Sequence, residues 1–88
     1  MPRISKEIII KNAQGLHARP AAMLVQIASK YNANVTVLKD GERVNGKSIM
    51  GILTLGAEQN SKIVLEADGE DAQEVLAELY ELLTKEEQ

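Results

Sequence analysis

Lys62-Ile63-Val64-Leu65-Glu66-Ala67-Asp68 is followed by Gly69 and, from Asp71 onward, by apolar residues at Ala72, Val75, Leu76, Leu79, Leu82 and Leu83. In the first stretch Ile63, Leu65 and Ala67 fall on one face and Lys62 and Glu66 on the other, the period of a half-buried strand. In the second the spacing is three and four, which predicts an amphipathic helix of about four turns. Acids fill its outer face, and those in its first turn suit the positive end of the helix dipole. The change of period across Gly69 decides the architecture. A strand with one apolar face and a helix with one apolar stripe bury each other, so helices cover one side of a sheet.

The rest of the chain repeats this logic. Residues 4–11 alternate, with Ile4, Ile8 and Ile10 on one face and Ser5, Glu7 and Lys11 on the other. Lys6 and Ile9 are the exceptions on their faces. Asn12-Ala13-Gln14-Gly15 reads as a turn. From about Ala18 to Tyr31 the stripe Ala21, Leu24, Val25, Ala28 is helical, with Pro20 in the first turn, where its missing N–H costs nothing. Residues 35–38 and 42–44 are β-rich and flank Asp40-Gly41, a hairpin signal. Ser48 caps a short helix that runs through about Leu55 and ends at Gly56. The order is β-α-β-β-α-β-α, and one wet sheet face favours antiparallel pairing.

With 88 residues there is room for one small domain. Zero Cys excludes disulfides and thiolate chemistry, and with a single His no ordinary zinc site can form. The apolar runs are too short to span a membrane, and no signal peptide precedes the first strand, so a cytoplasmic chain is expected. Only Tyr31 and Tyr80 are aromatic, which argues against a base-stacking nucleic-acid platform. The net charge of −3 hides a division: residues 1–65 carry nine basic and four acidic residues, +5, whereas residues 66–88 carry one Lys and nine acids, −8. The acidic part is mostly the last helix, expected to face away from the surface around His17, and the asymmetry either steers acidic partner surfaces or marks one solvated helix.

The one histidine, His17, stands in Gly15-Leu16-His17-Ala18-Arg19-Pro20-Ala21. Taken alone, a single His on a small domain is a surface residue. Here it opens a helix, where free N–H groups favour an anion. Arg19 brings a guanidinium fork to the same place, and Gly15 permits a sharp entry. No carboxylate nearby in sequence completes a triad, so the chemistry suggested is phosphoryl acceptance by the neutral imidazole itself.

The segment Asn-x-x-Gly-Leu-His-Ala-Arg-Pro-Ala over residues 12–21 resembles the active-site signature of the HPr family, the histidine-containing phosphocarriers of the phosphoenolpyruvate:sugar phosphotransferase system. Val44-Asn45-Gly46-Lys47-Ser48-Ile49-Met50-Gly51 resembles that family's regulatory-serine segment. The resemblance covers nearly the whole chain, residues 1–88 as one domain. It implies an α+β open-faced β-sandwich, with a four-stranded antiparallel sheet and three helices on one face.

Further, it implies that His17 accepts a phosphoryl group, on Nδ1, from phosphorylated Enzyme I and passes it to a IIA domain. The protein would be a carrier with a phosphohistidine intermediate rather than a turnover enzyme. Arg19 would contact the phosphate, with the backbone N–H groups of Ala18 and Arg19. Ser48, structurally an N-cap, would be phosphorylated by HPr kinase/phosphorylase, with a catabolite-control regulator as a further partner. Ala18, Ala22, Met23, Lys47, Ile49, Met50 and Leu53 would form the docking patch; the bland reading of the apolar ones is core, but the short helix is apolar almost all round and cannot bury every side. Flexible Met suits a surface serving several partners. A monomer without cofactor, metal, nucleic acid or membrane insertion is expected. Two rivals are a carrier in a regulatory, nitrogen-branch or incomplete system, and a small binding module without phosphoryl transfer. His17 excludes a regulatory paralogue that lacks the active histidine.

Overall fold

The computed structural model describes residues 3–85. The elements follow the order β1 (Arg3–Ile9), α1 (Ala18–Ser29), β2 (Asn34–Lys39), β3 (Glu42–Asn45), α2 (Ile49–Leu55), β4 (Lys62–Asp68) and α3 (Ala72–Thr84). The four strands make one sheet in the order β1-β4-β2-β3, antiparallel throughout. Sequence neighbours β2 and β3 form the hairpin, with Asp40 and Gly41 both at positive φ (52° and 85°) as a two-residue turn requires.

The register sorts the residues by face. Ile8 lies opposite Ile63, Val35 opposite Ala67, and Val37 opposite both Leu65 and Val44. All but Val44, which packs against the core, are buried. They meet Leu24 and Ala28 of α1, Ile52 of α2 and Val75, Leu76, Leu79 and Leu83 of α3. The opposite face carries the Arg43–Glu66 ion pair at 3.0 Å and the looser Lys62–Glu7 pair at 3.9 Å. The open-faced arrangement thus follows from alternation in the strands and single stripes in the helices.

Three boundaries and exceptions have local causes. β1 ends at Ile9, before the alternation does. Ile10 remains buried and still pairs, its N–H donating to the Ser61 carbonyl at 3.0 Å and its carbonyl accepting from Asn60 N–H at 2.7 Å, but Asn60 sits at φ 73°, which breaks the regular ladder. α1 ends at Ser29, and its last turn tightens, with Lys30 N–H reaching Ile27 and Tyr31 N–H reaching Ala28. Lys6 points to the helix side opposite Leu65, where its ammonium stands 4.8 Å from the centroid of the Tyr80 ring.

The acids of α3 are not all a solvated face. Asp71, at the N-cap, turns its carboxylate away from its own helix and accepts from Asn32 N–H at 2.8 Å and Ala33 N–H at 2.9 Å. Glu78 accepts from Lys30 at 2.8 Å and from the Tyr31 hydroxyl at 2.6 Å. α3 is thereby tied to the end of α1 and the start of β2. The Asn32 and Ala33 N–H groups hold the Asp71 carboxyl below the usual range. The Lys30 ammonium, then the Tyr31 hydroxyl, do the same for Glu78, and the bond to Glu78 raises the Tyr31 phenol.

Candidate functional site

The loop into α1 is built to present its last residue. Asn12 accepts from Gly15 N–H at 3.0 Å, closing a turn. Gly15 sits at φ 69°, and a Cβ there would stand 2.3 Å from the Ala57 carbonyl oxygen, so no other residue fits. Leu16, 3% exposed, anchors the loop in the core and donates its N–H to the same Ala57 carbonyl at 2.8 Å. The next residue, His17, is exposed and is the N-cap of α1 in an extended conformation.

The His17 carbonyl accepts the first helical bond, from Ala21 N–H at 2.9 Å, and its side chain makes no capping bond. The N–H groups of Ala18 and Arg19 precede the intrahelical ladder and, with the dipole, are disposed towards an anion; Pro20, buried, has none to offer. Ala18 and Arg19 are exposed beside His17. His17, Arg19 and Met23 border a cleft of about 520 Å³ whose other borders include Asn12, Leu82 and Lys85. Asn12 is the buried polar residue here, 5% exposed, its Nδ2 donating to the Leu82 carbonyl at 3.5 Å.

The end of α3 therefore reaches the site, contrary to the expectation that the acidic helix faces away from it. Leu82 and Lys85 are the residues that sequence reasoning missed. The signal was present: Lys85 is the single basic residue among nine acids in residues 66–88.

The second segment folds as its sequence reads. The Ser48 hydroxyl oxygen accepts from Gly51 N–H at 3.1 Å, and Gly56 closes α2 in the left-handed region. Within α2, Ile52 and Leu55 are buried, whereas Met50 is 68% exposed, Ile49 39% and Leu53 37%. Met23 of α1 is 42% exposed, Ala22 is half-buried and Ile27 packs against the core. α1 and α2 pack against each other.

Lys47, half-buried, stands just before Ser48 at the start of α2. Its ammonium donates to the Tyr31 carbonyl at 2.8 Å, beyond the end of α1 remote from His17. The free carbonyls where a helix terminates attract a cation.

Among the described residues no cluster of three or more acidic, His or Cys side chains could hold a metal ion, and no helix is long and apolar enough to cross a membrane. Fold and site together define a small protein with an open-faced sheet and an exposed imidazole at a helix N-terminus. A family model described as the phosphorylation site of the HPr component of the phosphotransferase system matches residues 4–85, and the chain belongs to this family of phosphocarriers. The phosphocarrier protein HPr of Bacillus anthracis is 39% identical, with a TM-score of 0.90 over 93% of this chain and 98% of that one. An HPr of Thermoanaerobacter tengcongensis is 47% identical, with a TM-score of 0.83 over 94% and 91%. Crh of Bacillus subtilis, described as a domain-swapped dimer, is 44% identical, with a TM-score of 0.74 over 81% and 82%.

Proposed function

We propose that His17 accepts a phosphoryl group from phosphorylated Enzyme I and hands it to a IIA-type acceptor in sugar uptake. The observation that carries this reading is the exposed imidazole at the uncapped N-terminus of α1, beside Arg19 and the free N–H groups of Ala18 and Arg19. In the loading step a neutral ring nitrogen attacks phosphorus, the bond from phosphorus to Enzyme I breaks, and Enzyme I keeps that electron pair. The reverse arrangement discharges the group to the acceptor. A carrier must release what it binds. Exposed charge and dipole interactions of about 0.3–1 kcal/mol each orient the phosphoryl group without trapping it.

Partners dock on Met23, Ile49, Met50 and Leu53, with Ala18, Ala22 and Lys47 beside them. Ser48 is the regulatory site of HPr kinase/phosphorylase. A phosphoryl group there adds about −1.5 to −2 charges at the start of α2, which that helix end tolerates but an acidic or apolar partner surface does not. The same change is what a catabolite-control regulator would read. The protein acts as a single-domain cytoplasmic monomer.

Incubation with phosphoenolpyruvate and Enzyme I tests the reading. The wild-type chain gains one acid-labile phosphate and His17→Ala gains none; a wild type that takes up nothing leaves only a binding module. Met50→Glu is expected to keep the fold and slow the exchange, and unchanged kinetics would remove α2 from the docking surface.

A further inference from the structure

The cleft beside His17 has walls from opposite ends of the chain. One is the start of α1, with His17 and Arg19; the other is the end of α3, with Leu82 and Lys85. Two hydrogen bonds hold the walls together. Lys11 N–H donates to the Leu83 carbonyl at 2.9 Å and Asn12 Nδ2 to the Leu82 carbonyl at 3.5 Å. Both acceptors are carbonyls that a helix leaves free in its last turn, so the end of α3 is fixed to the loop that feeds His17. Lys85 follows directly as the C-cap.

A lysine at a helix end complements the dipole wherever that end lies. That does not account for two further facts. Lys85 is the one basic residue of the acidic segment 66–88. Among the described residues, the charged or titratable groups lining the cleft are His17, Arg19 and Lys85, with no carboxylate. The acidic helix therefore ends on a cation at the cleft that the imidazole borders.

We propose that Lys85 is a second cation of the phosphoryl site, pairing across the cleft from Arg19 with the phosphoryl oxygens carried on His17. This rests on the phosphocarrier reading above. Arg19 offers a rigid fork, and Lys85 offers a mobile point charge on a four-carbon stem, which follows the phosphoryl group as it arrives and leaves. The pair stabilises the phosphorylated form over the free one and favours the dianionic phosphoryl group over the monoanionic one. An exposed pair of this kind changes an equilibrium by about 1.5- to 5-fold.

The test uses the full chain as wild type, Lys85→Gln, Lys85→Glu and Lys85→Arg, each loaded with phosphoenolpyruvate and Enzyme I. ³¹P NMR follows the ionisation of the phosphoryl group with pH, and the phosphorylated fraction is measured at a fixed phosphoenolpyruvate-to-pyruvate ratio. Lys85→Gln should move the ³¹P midpoint to higher pH and lower the ratio of phosphorylated to free protein about 1.5- to 5-fold. Lys85→Glu should move both further, and Lys85→Arg should restore them. If all four load and the midpoint is the same in Gln and Glu variants as in wild type, the role of Lys85 is overturned and the carrier reading stands. If the wild type does not load, both fall.

Discussion

At the scale of single residues, Gly15 sets the site. The turn residues 12–15 and the entry to a helix are legible in the sequence. What is not legible is that the Ala57 carbonyl oxygen, from the loop after α2, would lie 2.3 Å from any Cβ at position 15. Gly15→Ala therefore meets two penalties, a left-handed φ of 69° and an overlap with main-chain atoms that cannot rotate away. The left-handed conformation alone costs about 1–2 kcal/mol, and the overlap raises the total above that range. A fall in melting temperature on the order of 10 °C should be seen by circular dichroism. Gly56, also at positive φ, has open space around it, so Gly56→Ala should cost only the backbone penalty, about 1–2 kcal/mol. Equal losses at the two positions would remove the contact with Ala57 as the cause.

At the scale of elements, α2 is the segment most fully readable from its own residues, because its start, Ser48, and its stop, Gly56, both act locally. α3 is less so. Its acids were expected to serve their own helix and the solvent, yet Asp71 spends its carboxylate on the Asn32 and Ala33 N–H groups of the loop before β2. Since those bonds hold the carboxyl below its usual range, the native state favours the charged form. The stability Asp71 contributes is present above its unfolded value, about 3.9, and is lost as pH falls through the lower folded one. Asp71→Asn should be less stable at neutral pH and should lose less stability than wild type on going to acid. Urea unfolding at pH 7 and at about pH 3 checks both. Glu78 is lowered in the same sense, so an acid dependence survives in the variant.

At the scale of the whole molecule, the strand order β1-β4-β2-β3 brings the loop after β1 and the end of α3 together at one site. β1 pairs with β4, and α3, which follows β4, packs over both strands. The loop after β1 and the end of α3 must then lie side by side, which is how Lys85 comes to the His17 cleft. The division of charge changes meaning accordingly. The segment carrying His17, Arg19 and the proposed docking surface is basic by +5, and the acidic segment contributes its only lysine to the cleft that His17 borders. Association with an acidic Enzyme I surface should slow several-fold between about 0.05 and 0.5 M salt, since screening shortens the reach of exposed charges. A stopped-flow rate independent of salt would mean that this division of charge does no steering.

Sequence alone determined the element types, the faces they bury, the start and stop of α2 and the place of the lone histidine at the entry to α1. Each of these depends on neighbours within one or two turns, and periodicity and capping act over that distance. The tertiary structure decided what packs between distant residues: the clearance that requires Gly15, the loop held by Asp71, the bond from Lys47 to the Tyr31 carbonyl, and the arrival of Lys85 on the cleft that His17 borders. These arise where free backbone groups at chain turns and helix ends must find partners, and a linear pattern does not show which distant residue lies within reach.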